Sequence, residues 1–227
     1  PWTAWEIGGF DGIEIWNQMS EWMEKLTRLN QFKMFLHPRK SLRGPTTKIL
    51  NIWDQEAQKR KVVGIGGVDA HAYPYKLGPF RLTIFPYLVQ FKSIRTHILV
   101  DEPLSADFLT AKRQLFSAIK NCQVFISNYV WGDGKDFSFT AENDNQKVTV
   151  GGEMGLKNKA RLLIQVPGKA QIKLLHNGEL VQEIVADKLQ YVTSEEGVYR
   201  VEAYRNHKGW IFSNHIRIKK SSPYGIV

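Results

Sequence analysis

Residues 93–127 read SIRTHILVDEPLSADFLTAKRQLFSAIKNCQVFIS, and they set two short apolar runs on either side of a helical pattern. The first run, SIRTHILV (93–100), and the last, QVFIS (123–127), have the length and β-branched content of strands. Between them Ser105 is a good N-cap, and Phe108, Leu109, Leu115, Phe116 and Ile119 recur along one face of a helix. Strand, helix, strand predicts a right-handed crossover within a parallel sheet or barrel.

The same alternation extends upstream. FDGIEIW (10–16) is a strand pattern, and Met19, Trp22, Met23, Leu26 and Leu29 follow at helical spacing. GPTTKILNIWDQEAQKRK (44–61) predicts a second helix, capped by Thr46 and anchored by Ile49, Leu50, Ile52 and Trp53, and VVGIGG (62–67) a further strand. About four strands are legible against the roughly eight of a closed barrel, so this half reads as incomplete. Downstream of 136 the period changes to short alternating runs, among them ARLLIQV, GVYRVEAYR and WIFSNHIRIK. Asn-Gly in HNGE (176–179) marks a tight hairpin. The reading is α/β plus all-β: an α/β domain over 1–131, a GDGKD linker, and an immunoglobulin-like β-sandwich over 136–220.

Composition bounds the function. The 227 residues are 43% hydrophobic and 23% charged, the profile of a globular protein. No apolar stretch is long enough to span a bilayer. A single cysteine, Cys122, rules out an intramolecular disulfide. The opening PWTAWEIGG carries no signal-peptide pattern and reads as the middle of a longer protein, so it leaves the compartment open. The net charge of +9 invites a nucleic-acid reading. Only QKRK (58–61) and RIKK (217–220) cluster, neither interleaved with aromatics, so a solvated basic surface is favoured over nucleic-acid binding.

The chemistry concentrates in VVGIGGVDAHAYPY (62–75). Parallel α/β architectures place function at the carboxyl ends of strands. There Asp69 and His71, two residues apart in an extended segment, point the same way, and a carboxylate with an imidazole suits zinc, manganese or iron. Two ligands are short of the three that a catalytic metal usually takes. The competing reading is a polar turn at a strand end. Glu14 and Asn17, at the end of GIEIWN, could reach the same mouth in supporting roles. His37 reads as a loop residue, His97 as a hydrogen-bonded core histidine, and Cys122 as structural. Gly-x-Ser-x-Gly, P-loop and dinucleotide fingerprints are lacking.

GFDGIEIWN, GPTTKILNIWDQ, VVGIGGVDAHAY, SIRTHILV, LFSAIKNCQVFISN and WIFSN run in an order that resembles the PHP-domain (polymerase and histidinol phosphatase) metallohydrolases, closest to the carbaryl-hydrolase-like branch. The likeness covers most of the chain. It implies a distorted (β/α)7 barrel holding a cluster of divalent ions that hydrolyses phosphoesters, other esters or carbamates. The family's last metal motif, Asp-x-His after a strand, matches Asp69 and His71. Asp69 would ligate or bridge a metal and receive a proton from the attacking water, His71 would ligate, and Tyr73 would hydrogen-bond substrate. The family's first motif, His-x-His, has no counterpart here, nor do its middle ligands.

On that resemblance the chain is expected to be the carboxyl-terminal portion of a metal-dependent hydrolase acting on a small-molecule ester. It would be inactive alone and hold few or no ions until a missing amino-terminal half or a second chain completes the site. The exposed strand edges of a half barrel would favour such a partner. The alternative is a non-catalytic binding module in which the β-sandwich recognises a glycan or protein partner through Trp210 and Tyr204.

Overall fold

The computed structural model describes residues 4–37 and 39–220, with the backbone alone at Phe35, Tyr73, Tyr75, Leu77, Phe80, Leu82 and Ile84. β1 (Gly12–Asn17) leads directly into α1 (Gln18–Lys25), where the Asn17 side chain accepts from the Ser20 amide and caps the helix. A short α2 (Gln31–Leu36) and α3 (Thr47–Lys59) follow, and Thr46 caps α3 as its sequence predicts. β2 (Val63–Gly67) lies parallel to β1, with Asn17 beside Gly67, so both strands end at one level. A small hairpin, β3 (Tyr73–Leu77) and β4 (Phe80–Ile84), and a single turn of helix, α4 (Tyr87–Gln90), lead to β5 (Ile94–Ile98).

α5 (Phe108–Lys120) joins β5 to β6 (Val124–Asn128). The rest of the described chain is strand: β7 (Ser138–Glu142), β8 (Lys147–Thr149), β9 (Glu153–Leu156), β10 (Ala160–His176), β11 (Glu179–Thr193), β12 (Gly197–Arg205), β13 (Lys208–Ser213) and β14 (Ile216–Lys220). The β10–β11 hairpin turns on Asn177 and Gly178, both at positive φ, which the Asn-Gly pair tolerates. Ten strands form one sheet along the path β5-β6-β13-β12-β10-β7-β8, with β11 on β10 and β14 joining β12 to β9. The sheet is antiparallel except for β9–β14, and it curls into a half-barrel.

The portion of a (β/α)7 barrel that the resemblance implies is therefore not formed; the described residues make a mostly-β fold with five α-helices. The decisive pair is β5–β6, which is antiparallel. Its connector is a long hairpin excursion and not a crossover. A crossover helix must bury its apolar stripe on the sheet, yet α5 buries only Ala118 and leaves Phe108, Leu109 and Phe116 exposed. β6 misleads because all five of its residues are buried, the pattern of a parallel strand covered on both faces. Here the same burial arises in an antiparallel sheet, because β6 lies between two cores. Phe125 packs on Phe137 in the large core of the β10–β14 region, while Ile126 joins Trp16, Trp53 and Phe212 in a second core under β1 and α3.

The β1–β2 pair has no backbone ladder to the large sheet. Side chains stitch it there instead. Asn214 donates to the carbonyls of Gly64 (2.8 Å) and Val124 (2.9 Å) and accepts from the Gly64 amide (2.8 Å). The Thr96 hydroxyl accepts from the Gly66 amide (2.9 Å) and donates to the Gly66 carbonyl (2.6 Å). The glycines of VVGIGG are there for packing. A Cβ on Gly64 would sit 2.4 Å from the Trp53 ring, and one on Gly66 2.7 Å from Ile126.

A buried ionic network fastens α3 to β12. Arg200 grips Asp54 through two hydrogen bonds (2.6 and 2.8 Å) and donates to Glu202 (2.5 Å). The His215 ring donates to Asp54 (2.7 Å), and Tyr204 donates to Glu202 (2.5 Å). Asp54, Arg200, Glu202 and His215 are all buried. Burial pushes the Asp54 carboxyl up, but hydrogen bonds from His215 and Arg200 outweigh it and leave its pKa below the ordinary 3.8.

Candidate functional site

Asp69 and His71 lie in the loop that leaves the carboxyl end of β2. The loop is not extended at this point, because Asp69 takes a left-handed conformation (φ 47°). The two side chains nevertheless come together: His71 Nδ1 is 3.6 Å from Asp69 Oδ1, with both groups about half exposed. His71 Nδ1 is also 2.7 Å from the Asp69 carbonyl oxygen. A carbonyl only accepts, so Nδ1 carries the proton in this arrangement. Gln90, fully buried, holds the loop from beneath by donating to the carbonyls of His71 (3.2 Å) and Phe85 (2.8 Å).

Glu14 and Asn17 lie at the carboxyl end of β1, beside Gly67 of β2. Asn17 Nδ2 donates to Glu14 Oε2 (3.0 Å), and Glu14 Oε1 lies 2.7 Å from where a Cβ on Gly67 would stand. Gly67 is therefore small for the benefit of a carboxylate. The Tyr73 side chain falls outside the described residues. Around these elements four buried polar atoms lack a partner among the described residues: Gln18 Oε1 after β1, Gln90 Oε1 under the loop, Ser93 Oγ before β5 and Asn128 Nδ2 at the end of β6. Buried polar groups in native proteins are nearly all satisfied, most often by another protein group or a water.

As a metal centre the donor types fit and the number falls short. A carboxylate and an imidazole suit a divalent transition ion. Among the described residues, however, no group of three His, Cys, Asp or Glu side chains could hold an ion. Asp69 and His71 supply two donors.

The other candidates are structural. His97 Nε2 pairs with Ser127 Oγ (2.7 Å), its ring stacks on Phe125, and burial lowers its pKa. Trp210 is fully buried, donating to the Gly132 carbonyl (2.9 Å) under the Arg205 guanidinium. Tyr204 is half-buried and donates to Glu202. Burial pushes the Cys122 thiol up to about 11. Native protein should therefore resist iodoacetamide at mildly alkaline pH, alkylating roughly 100-fold more slowly than the guanidinium-unfolded chain. Equal rates, read by mass spectrometry, would mean an accessible thiol.

The sequence reading missed the Asp54–Arg200 network. One signal was available: Asp54 stands within the stripe Leu50, Trp53, Ala57, an acid on the buried face of α3. Among the described residues no helix is long and apolar enough to cross a membrane. Neither a family model nor a curated protein matches the chain.

Proposed function

We propose that this chain contributes a metal-binding half-site to a hydrolase acting on phosphoesters or other small esters. The observation that carries the reading is the Asp69–His71 approach of 3.6 Å at the carboxyl end of β2. The resemblance of VVGIGGVDAHAY to the PHP metallohydrolases supports the same chemistry. A divalent ion of zinc, manganese or iron would supply Lewis acidity toward the ester and acidify water. Asp69 and His71 would be two of its ligands. The Asp69 carbonyl orients the His71 ring through Nδ1, and Gln90 holds the loop backbone in place. Glu14, fixed by Asn17, would accept a hydrogen bond or proton at the edge of the mouth. The remaining ligands would come from polypeptide outside the described residues, as an amino-terminal segment or a second chain.

The test uses the natural gene product that contains these residues, loaded with zinc or manganese and assayed on p-nitrophenyl phosphate and acetate. Asp69→Ala and His71→Ala should each lower turnover by at least about 100-fold, since loss of even an outer-shell partner costs 10- to 100-fold. Bound metal per chain should fall in parallel, with melting curves unchanged. Turnover and metal retained in both variants would sink the assignment.

A further inference from the structure

Between the end of α1, the α2 segment and the start of β13 lies a concavity of about 630 Å³, within the roughly 300–1,000 Å³ of small-molecule sites. Lys25, Lys33, Lys40, Arg43 and Lys208 line it, against a single carboxylate, Glu24. The clustering is imposed by the fold. Glu21, buried beneath, accepts from Trp16 Nε1 (2.7 Å), from the Arg43 amide (2.5 Å) and the Gly44 amide (3.3 Å), and pairs with Lys25. Its charge is thus already engaged. The Arg43 carbonyl in turn accepts from the Gly209 amide (2.6 Å), which holds Arg43 next to Lys208 by backbone bonds.

Among the described residues Lys33, Lys40, Arg43 and Lys208 make no ion pair. Burial, and then the positive charges of Arg43, Lys25 and Lys33, hold the Lys208 ammonium below its ordinary range. Like charges gathered in a concave surface in excess of the carboxylates beside them focus the field on an anion. Lysines bring compact, mobile point charges suited to phosphate oxygens. The described lining has no Phe, Tyr or Trp ring on which a base could stack, and its one ring is the small His37 imidazole.

We infer that this basin, separate from the Asp69–His71 loop, binds a linear di- or triphosphate through its phosphates alone. The chain can be titrated calorimetrically with sodium tripolyphosphate, with inorganic phosphate and with ATP, at low and at physiological ionic strength. Tripolyphosphate should bind saturably at one site. Lys33→Ala and Lys208→Ala should each weaken it about tenfold, the cost of one charge-assisted contact. Lys157→Ala, on a distant basic loop, should not. Inorganic phosphate should bind at least about tenfold more weakly, and ATP no more tightly. Coincident melting curves establish that the variants are folded; Lys33 is exposed and tolerates truncation. Absence of saturation, or an equal loss in Lys157→Ala, overturns the inference in favour of general attraction to a basic protein. ATP binding much more tightly than tripolyphosphate overturns the base-blind assignment.

Discussion

Replacing Arg200 by methionine should destabilise the protein by about 3–5 kcal/mol, read as a shift of the urea midpoint at constant slope. Methionine approximates the volume of the arginine stem, so the loss is electrostatic and not a cavity effect. It leaves Asp54 and Glu202, both buried, without the cation that separates and satisfies them. His215 still donates to Asp54, which keeps the cost from rising further. Adding Asp54→Asn to Arg200→Met should recover part of the loss, because an amide needs no counter-ion. The pH dependence has a fixed sign. Asp54 has a folded pKa below its ordinary 3.8, so its stabilisation is complete above about pH 3.8 and is lost as the pH falls through the folded value. An Arg200→Met midpoint within about 1 kcal/mol of wild type would show that water reaches the cluster and the network is not sealed.

The second large effect belongs to Asn214. Asn214→Ala removes three hydrogen bonds of 2.8–2.9 Å and strands the amide and carbonyl of Gly64 in a buried site, while the Val124 carbonyl keeps the backbone amide of residue 214 (3.1 Å). At roughly 1–3 kcal/mol for each unsatisfied group, partly relieved by relaxation, the cost should be about 3 kcal/mol. Asn214→Asp should be at least as damaging. A carboxylate can accept from the Gly64 amide, but it has no proton for the two carbonyls that the amide nitrogen now serves. Hydrogen exchange at the Gly64 amide should accelerate in both variants. An Asp variant as stable as wild type would mean that Asn214 is spectator to the joint.

Local features were legible in the residues, and the partners of those features were not. The cap at Thr46, the Asn177-Gly178 turn and the alternating strands after 136 each depend on a few neighbouring residues, and they form as read. Pairing direction depends on what covers a strand. VFISN would be buried on both faces in either kind of sheet, and the apolar stripe of α5 cannot reveal from sequence that nothing in the described chain packs on Phe108 or Phe116. The N-cap of α5 also moves, from Ser105 to Asp107, two candidates of similar capping strength two residues apart. At the site, proximity of Asp69 and His71 follows from their spacing, although it arises through a left-handed turn and not an extended strand. Gln90 and Asn128 carried no local signal, because their significance comes from where distant strands end. The basin lysines come from segments far apart in sequence, which is why no charge cluster announced them.

β2 has three glycines in five residues and little side chain of its own with which to hold on. Its fastening comes in part from Asn214, 150 positions downstream. During synthesis, therefore, the strand that carries Asp69 and His71 at its tip has to wait: β1 and α3 can gather early, but the last bonds that seat β2 arrive only after the β13–β14 turn has been made. A nascent chain stalled before that turn would expose a glycine-rich strand without its clasp. The candidate site is thus expected to be among the later parts of this region to mature, although the residues that define it are translated well before Asn214.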